Sequence, residues 1–100
     1  MYHWVRTYSA KVGKGRELTK LSKQAAAYLR KTLKIKCHAY TAIGGDPMAF
    51  GLHGEYASMA DIGKAEKKLS SDAGWAALLK KAAPMLVDGS ASDQFWKEIT

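Results

Sequence analysis

One hundred residues are one domain's length, and 47% hydrophobic side chains with five Tyr, three Trp and two Phe exclude a disordered chain. No apolar run approaches the roughly 20 residues that span a bilayer, and MYHWVRTYSAKVGKG lacks the apolar core of a signal peptide, so a cytoplasmic location without a membrane partner is expected. The net charge of +7 is local: residues 11–36 hold nine basic residues against Glu17, a net of +8, whereas the rest carries seven basic and eight acidic residues, a net of −1.

Residues 2–11, rich in aromatic and β-branched types, predict a first strand, and Val12-Gly13-Lys14-Gly15 a turn. From Arg16 the period changes to three and four. Leu18, Leu21, Ala25, Leu29 and Leu33 share an arc with Tyr28 and Thr32, opposite Arg16, Lys20, Lys23, Arg30, Lys31 and Lys34. This is an amphipathic helix with a basic outer face. Ile35–Ile43 reads as a second strand, Gly44-Gly45-Asp46-Pro47 as a turn, and Met48–Tyr56 as a third strand that Gly51 and Gly54 weaken or bulge. Ser58 to Asp61 resembles a capping box, followed by an apolar stripe of Met59, Ile62, Ala65 and Leu69. Ser70-Ser71-Asp72 interrupts and recaps it. Trp75, Leu78, Leu79 and Ala82 then form a stripe that Pro84 ends, Asp88-Gly89-Ser90 is a loop, and Gln94–Ile99 a final strand.

The order is βαββαβ with the second helix in two pieces, spanning residues 1–100 as a single α+β ferredoxin-like domain. Right-handed crossovers give a four-stranded antiparallel sheet of order 4-1-3-2 with the helices on one face. The other face, rich in aromatic residues, needs cover, and a second copy about a two-fold axis supplies it.

Arg6-Thr7-Tyr8 ending a strand, Lys11-Val12-Gly13-Lys14 opening a long helix, Ser71-Asp72-Ala73-Gly74-Trp75 opening another, and Asp88-Gly89-Ser90 together resemble the dimeric α/β-barrel superfamily. The resemblance is to its NIPSNAP-like and antibiotic-biosynthesis-monooxygenase-like members, and covers essentially the whole chain. It implies a homodimer with two sheets facing across a cavity. The superfamily's activities range over cofactor-independent oxygenases, haem-degrading enzymes and isomerases, so fold alone does not select one. The haem-degrading members use an Asn on the first strand, and this chain contains no Asn.

Strand alternation defines a candidate pocket on the helix-free face. On strand two, Ile35, Cys37, Ala39, Thr41 and Ile43 are expected under the helices, leaving His38 and Tyr40 on the other side. On strand three, Phe50 and Leu52 go under the helices and His53 and Glu55 opposite. On strand one, the bulky set Tyr2, Trp4, Arg6 and Tyr8 is assigned to the barrel interior, with Trp96 joining from strand four. The cluster combines apolar walls with a few polar groups, which suits a small hydrophobic or aromatic ligand. His53, Arg6 and Tyr8 are the catalytic candidates. Trp4, His38, Tyr40, Glu55 and Trp96 are the ligand-binding ones, and an Arg6–Glu55 ion pair is expected across strands one and three.

Oxidation or isomerisation without a cofactor is one reading, and a non-catalytic homodimer that uses the face only for assembly is another. A third is anion or nucleic-acid binding through the basic helix. Aromatic residues are missing from that arc, which argues against nucleic acid. The three His and one Cys lack metal-ligand spacing. Gly13-Lys14-Gly15-Arg16 lacks the Gly-Lys-Ser/Thr of a phosphate loop. Cys37 reads as a small buried hydrophobe in a reducing compartment.

Overall fold

A computed structural model describes residues 1–100. The elements are β1 (Tyr2–Ser9), α1 (Gly15–Leu33), β2 (Cys37–Thr41), β3 (Ala49–Tyr56), α2 (Met59–Ser70), α3 (Ala73–Ala82), a 3₁₀ turn at Ala83–Met85 and β4 (Ser92–Lys97). The strands form one antiparallel sheet in the order β2-β3-β1-β4, which is the ferredoxin-like α+β arrangement that the element order predicts. No helix is long and apolar enough to cross a membrane.

Local chemistry sets the element ends. Gly13, at φ +85, makes the turn into α1, whose terminal Lys34 takes the left-handed conformation and returns its N–H to the Arg30 carbonyl. Arg30 Nη1 also donates to the Cys37 carbonyl at 2.7 Å, tying the end of α1 to the start of β2. The Ser58 hydroxyl accepts from the Asp61 N–H at 3.1 Å and caps α2. Asp72 restarts the chain as α3 by accepting from the Trp75 N–H at 2.8 Å, and it also accepts from the Tyr28 hydroxyl. Pro84 sits in the 3₁₀ turn that closes α3.

One core joins Trp4, Tyr8, Cys37, Phe50, Leu52 and Tyr56 of the sheet to Leu18, Ala25, Ala26 and Leu29 of α1, Ile62 and Ala65 of α2 and Trp75 of α3. All three helices therefore cover the same sheet face. β3 runs without a bulge through Gly51 and Gly54. Gly54 instead makes room: a Cβ there would stand 3.3 Å from the Trp4 ring and 3.2 Å from Ile35. Three apolar residues escape their predicted stripes, one of them Leu79 of α3, which is 44% exposed. Ile43 lies beyond the end of β2 in the following turn and is fully exposed, and Met59 in the first turn of α2 is more than half exposed.

β1 is turned over relative to the expectation. Trp4 and Tyr8, predicted on the helix-free side, are buried beneath the helices, and Arg6 goes with them. The register requires this. Tyr8 is paired with Phe50, Arg6 with Leu52 and Trp4 with Gly54, and directly paired residues of an antiparallel ladder share a face. Once Phe50 and Leu52 pack on the helices, their β1 partners must follow.

Candidate functional site

β1 thus sends Arg6 and Tyr8 into the space between sheet and helices. There they line a partly open cavity of about 110 Å³ with Leu18, Ser22, Ala25 and Trp75. The lining is apolar except for Arg6, Ser22 and the Tyr8 hydroxyl. A second recess of about 60 Å³, bounded by Trp4, Tyr56, Asp93 and Phe95, shares Arg6 and Trp75 as walls.

The polar groups are paired. The Tyr8 hydroxyl and Ser22 Oγ lie 2.6 Å apart, both buried, and either can donate. Burial raises the Tyr8 pKa above its ordinary value of 10.0, and the bond to Ser22 only partly offsets this. Arg6 donates twice to the Asp93 carboxylate, from Nε at 2.7 Å and Nη2 at 2.9 Å. Its guanidinium carbon lies 5.3 Å from the Trp4 ring centroid. The bond to Asp93 raises the Arg6 pKa against the opposing effect of burial, and the same bond holds the Asp93 carboxyl below its usual range. The expected Arg6–Glu55 pair does not form, because alternation along β1 and β3 places these residues on opposite sheet faces.

Trp75 owes its place to a short chain of contacts. The Tyr28 hydroxyl binds Asp72, which caps α3, and the Tyr28 ring stacks on Trp75 at 6.4 Å between centroids. Gly74 lies against the same tyrosine, and a Cβ there would stand 2.8 Å from Tyr28 Cζ.

The remaining sequence-derived site residues lie on the helix-free face. His38 and His53 are directly paired across β2 and β3, and the Tyr40 ring is 6.3 Å from the His53 ring. Glu55 is paired with His3, and His3 with Trp96. The sheet itself therefore separates His53 from Arg6 and Tyr8, and no single site holds all eight residues. Ser22, Trp75 and Asp93 were not among the expected site residues. Ser22 had a visible signal, as a polar residue inside the apolar stripe of α1. Asp93 had none, since its role depends on pairing with Arg6 across β1 and β4.

No protein-family model matches the sequence, and no curated protein is significantly similar to it. The fold, however, has relatives among solved structures. An uncharacterised NIPSNAP domain protein from Burkholderia xenovorans superposes with a TM-score of 0.83 at 18% identity, covering 99% of this chain and 95% of that one. The chain has the ferredoxin-like fold of the NIPSNAP and antibiotic-biosynthesis-monooxygenase-like proteins. A NIPSNAP family protein from Agrobacterium tumefaciens gives a TM-score of 0.79 at 18% identity over 98% and 92% of the two chains. A structure described as an antibiotic biosynthesis monooxygenase gives 0.76 at 10% identity over the full length of both. At these identities the likeness concerns the fold.

Proposed function

We propose that this protein binds one small aromatic or otherwise apolar molecule between its sheet and its helices, as a homodimer joined through the helix-free sheet face. The cavity beside Tyr8 and Ser22 carries the reading. At about 110 Å³ it approaches the roughly 150 Å³ of an apolar protein cavity that takes up benzene, so it suits a single six-membered ring. The paired hydroxyls of Tyr8 and Ser22 can orient either a hydroxyl or a carbonyl on that ring. The cavity supplies binding and orientation. Arg6 is committed to Asp93 and burial keeps Tyr8 protonated at neutral pH, so neither serves as a proton acceptor there. The dimer is supported by Tyr40 and Trp96, both more than half exposed on the helix-free face.

Thermal unfolding in the presence of benzene, toluene, phenol and p-cresol tests the binding. A ligand at a hundred times its Kd adds about 2.7 kcal/mol, a rise in Tm on the order of 10 °C or more at this chain length. Ala25→Leu, which places a larger side chain at the cavity wall, abolishes that rise. Unchanged melting with all four compounds refutes the reading. Sedimentation equilibrium at micromolar concentration tests the dimer, and a monomer there would sink it.

A further inference from the structure

We propose that the trough between the end of α1 and α2 binds a short polyphosphate chain through Lys34, Lys64 and Lys68, with Lys36 at its sheet end. The trough is open and measures about 610 Å³, within the range of clefts that hold small ligands. Its lysines come from three places in the fold. Lys34 follows the last turn of α1, Lys36 precedes β2, and Lys64 and Lys68 lie one turn apart on α2. None of them pairs with a carboxylate: the charged contacts of the chain are Arg6–Asp93, Lys14–Glu17 and His3–Glu98. Glu55 and Asp61 are the acids on the lining, so four lysines against two carboxylates leave the trough positive.

Two of these lysines are held in place before any ligand arrives. Lys34 is the only residue other than glycine with a positive φ, at +58, at a helix end where glycine is usual and less strained. An ammonium thus stands where most helices carry no side chain. Lys68 Nζ donates to the Thr32 carbonyl at 3.0 Å, crossing from α2 to the last turn of α1, and keeps two N–H donors for a ligand. The same contacts answer the field of α1, whose C-terminal carbonyls repel an anion. The Lys34 N–H takes the Arg30 carbonyl, and Lys68 takes that of Thr32. Leu33, Ile35 and Ala65 form the apolar part of the lining, a less polar setting in which the attraction of the lysines is stronger than on a fully solvated face.

The spacing of the cations selects the ligand class. Lysine is a point charge, and lysines set apart around an open trough match several phosphates in a row better than one carboxylate, which an arginine fork grips. Tyr56, the one aromatic ring on the lining, is buried, so no ring is free to stack a base. Recognition therefore stops at the phosphate chain, inorganic or that of a nucleotide. Lys34, Lys64 and Lys68 are exposed on the helix side of the sheet, away from the proposed dimer face. The site stands on one chain and does not require the sheet–helix cavity.

Isothermal titration calorimetry with tripolyphosphate at low ionic strength tests the site. One saturable site is expected, its affinity falling as salt rises to physiological strength. Lys64→Gln with Lys68→Gln is expected to weaken binding about tenfold. Lys20→Gln with Lys23→Gln removes the same charge from the outer arc of α1 and is expected to weaken it less than about twofold. Lys34→Gly is expected to weaken binding about threefold while Tm holds or rises, because glycine relieves the left-handed residue, so this variant separates loss of the site from loss of the fold. ATP bound as tightly as tripolyphosphate supports a nucleotide as the source, and weaker ATP binding supports an inorganic chain. No binding at millimolar tripolyphosphate overturns the proposal. Equal weakening in the two double variants also overturns it, since the effect is then one of net charge. A single-stranded RNA oligonucleotide that binds more tightly and loses affinity in Lys20→Gln with Lys23→Gln would assign anion binding to the outer arc of α1 and overturn it as well.

Discussion

Removing the Ser22 hydroxyl is the sharpest single perturbation of the sheet–helix cavity. Ser22 Oγ is the only side-chain partner of the buried Tyr8 hydroxyl, at 2.6 Å. In Ser22→Ala that hydroxyl stays buried and unpaired, which costs about 1–3 kcal/mol. Tyr8→Phe is milder, about 0.5–1.5 kcal/mol, because Ser22 sits in mid-helix and its hydroxyl can turn back to a carbonyl of the preceding turn. The double variant leaves no orphaned polar group, so it is expected to be more stable than Ser22→Ala alone. The single-variant figure also reports on the cavity. A water entering the 110 Å³ space would rescue Tyr8 and reduce the loss below about 1 kcal/mol, whereas a dry cavity leaves the full cost. Urea unfolding gives the numbers, as a shift in midpoint at constant slope. A Tm fall of roughly 4–8 °C per kcal/mol accompanies it. Strict additivity of the two substitutions would refute the claim that the hydroxyls serve one another in a desolvated setting.

Gly74→Ala is expected to destabilise by about 1 kcal/mol net: the clash with Tyr28 costs about 1–3 kcal/mol and helix propensity returns at most about 1. In a Tyr28→Ala background the same change becomes neutral or stabilising, which thermal melts of the four proteins can check. Asp93→Asn is expected to lower stability by no more than about 1 kcal/mol, since the ion pair with Arg6 is partly solvated. Because the folded pKa of Asp93 is depressed below its ordinary 3.8, the difference from the parent is complete above that pH and vanishes as pH falls through the folded value. Urea midpoints measured between neutral pH and pH 3 follow it. Cys37 is wholly buried and its thiol is pushed up to about 11, so it is expected to resist Ellman's reagent at pH 8 until the chain unfolds. Rapid labelling of the native protein would contradict its place in the core.

Periodicity and capping residues are local signals, and they determined the element order, the break between α2 and α3 at Asp72, and the sheet order with its helices on one face. The lower faces of β2 and β3 were also legible, because Cys37, Ala39, Phe50 and Leu52 are apolar where their alternates are His38, Tyr40, His53 and Glu55. β1 offered no such contrast, since Trp4 and Tyr8 alternate with His3, Val5 and Thr7, and either set could face a core. That choice belonged to the tertiary structure. Pairing with Phe50 and Leu52, the room left by Gly54, and the hydroxyl of Ser22 together turn Trp4, Arg6 and Tyr8 under the helices. The candidate site was hidden for the same reason. Arg6–Asp93 joins residues 87 positions apart, and only the closed sheet brings them within hydrogen-bond reach.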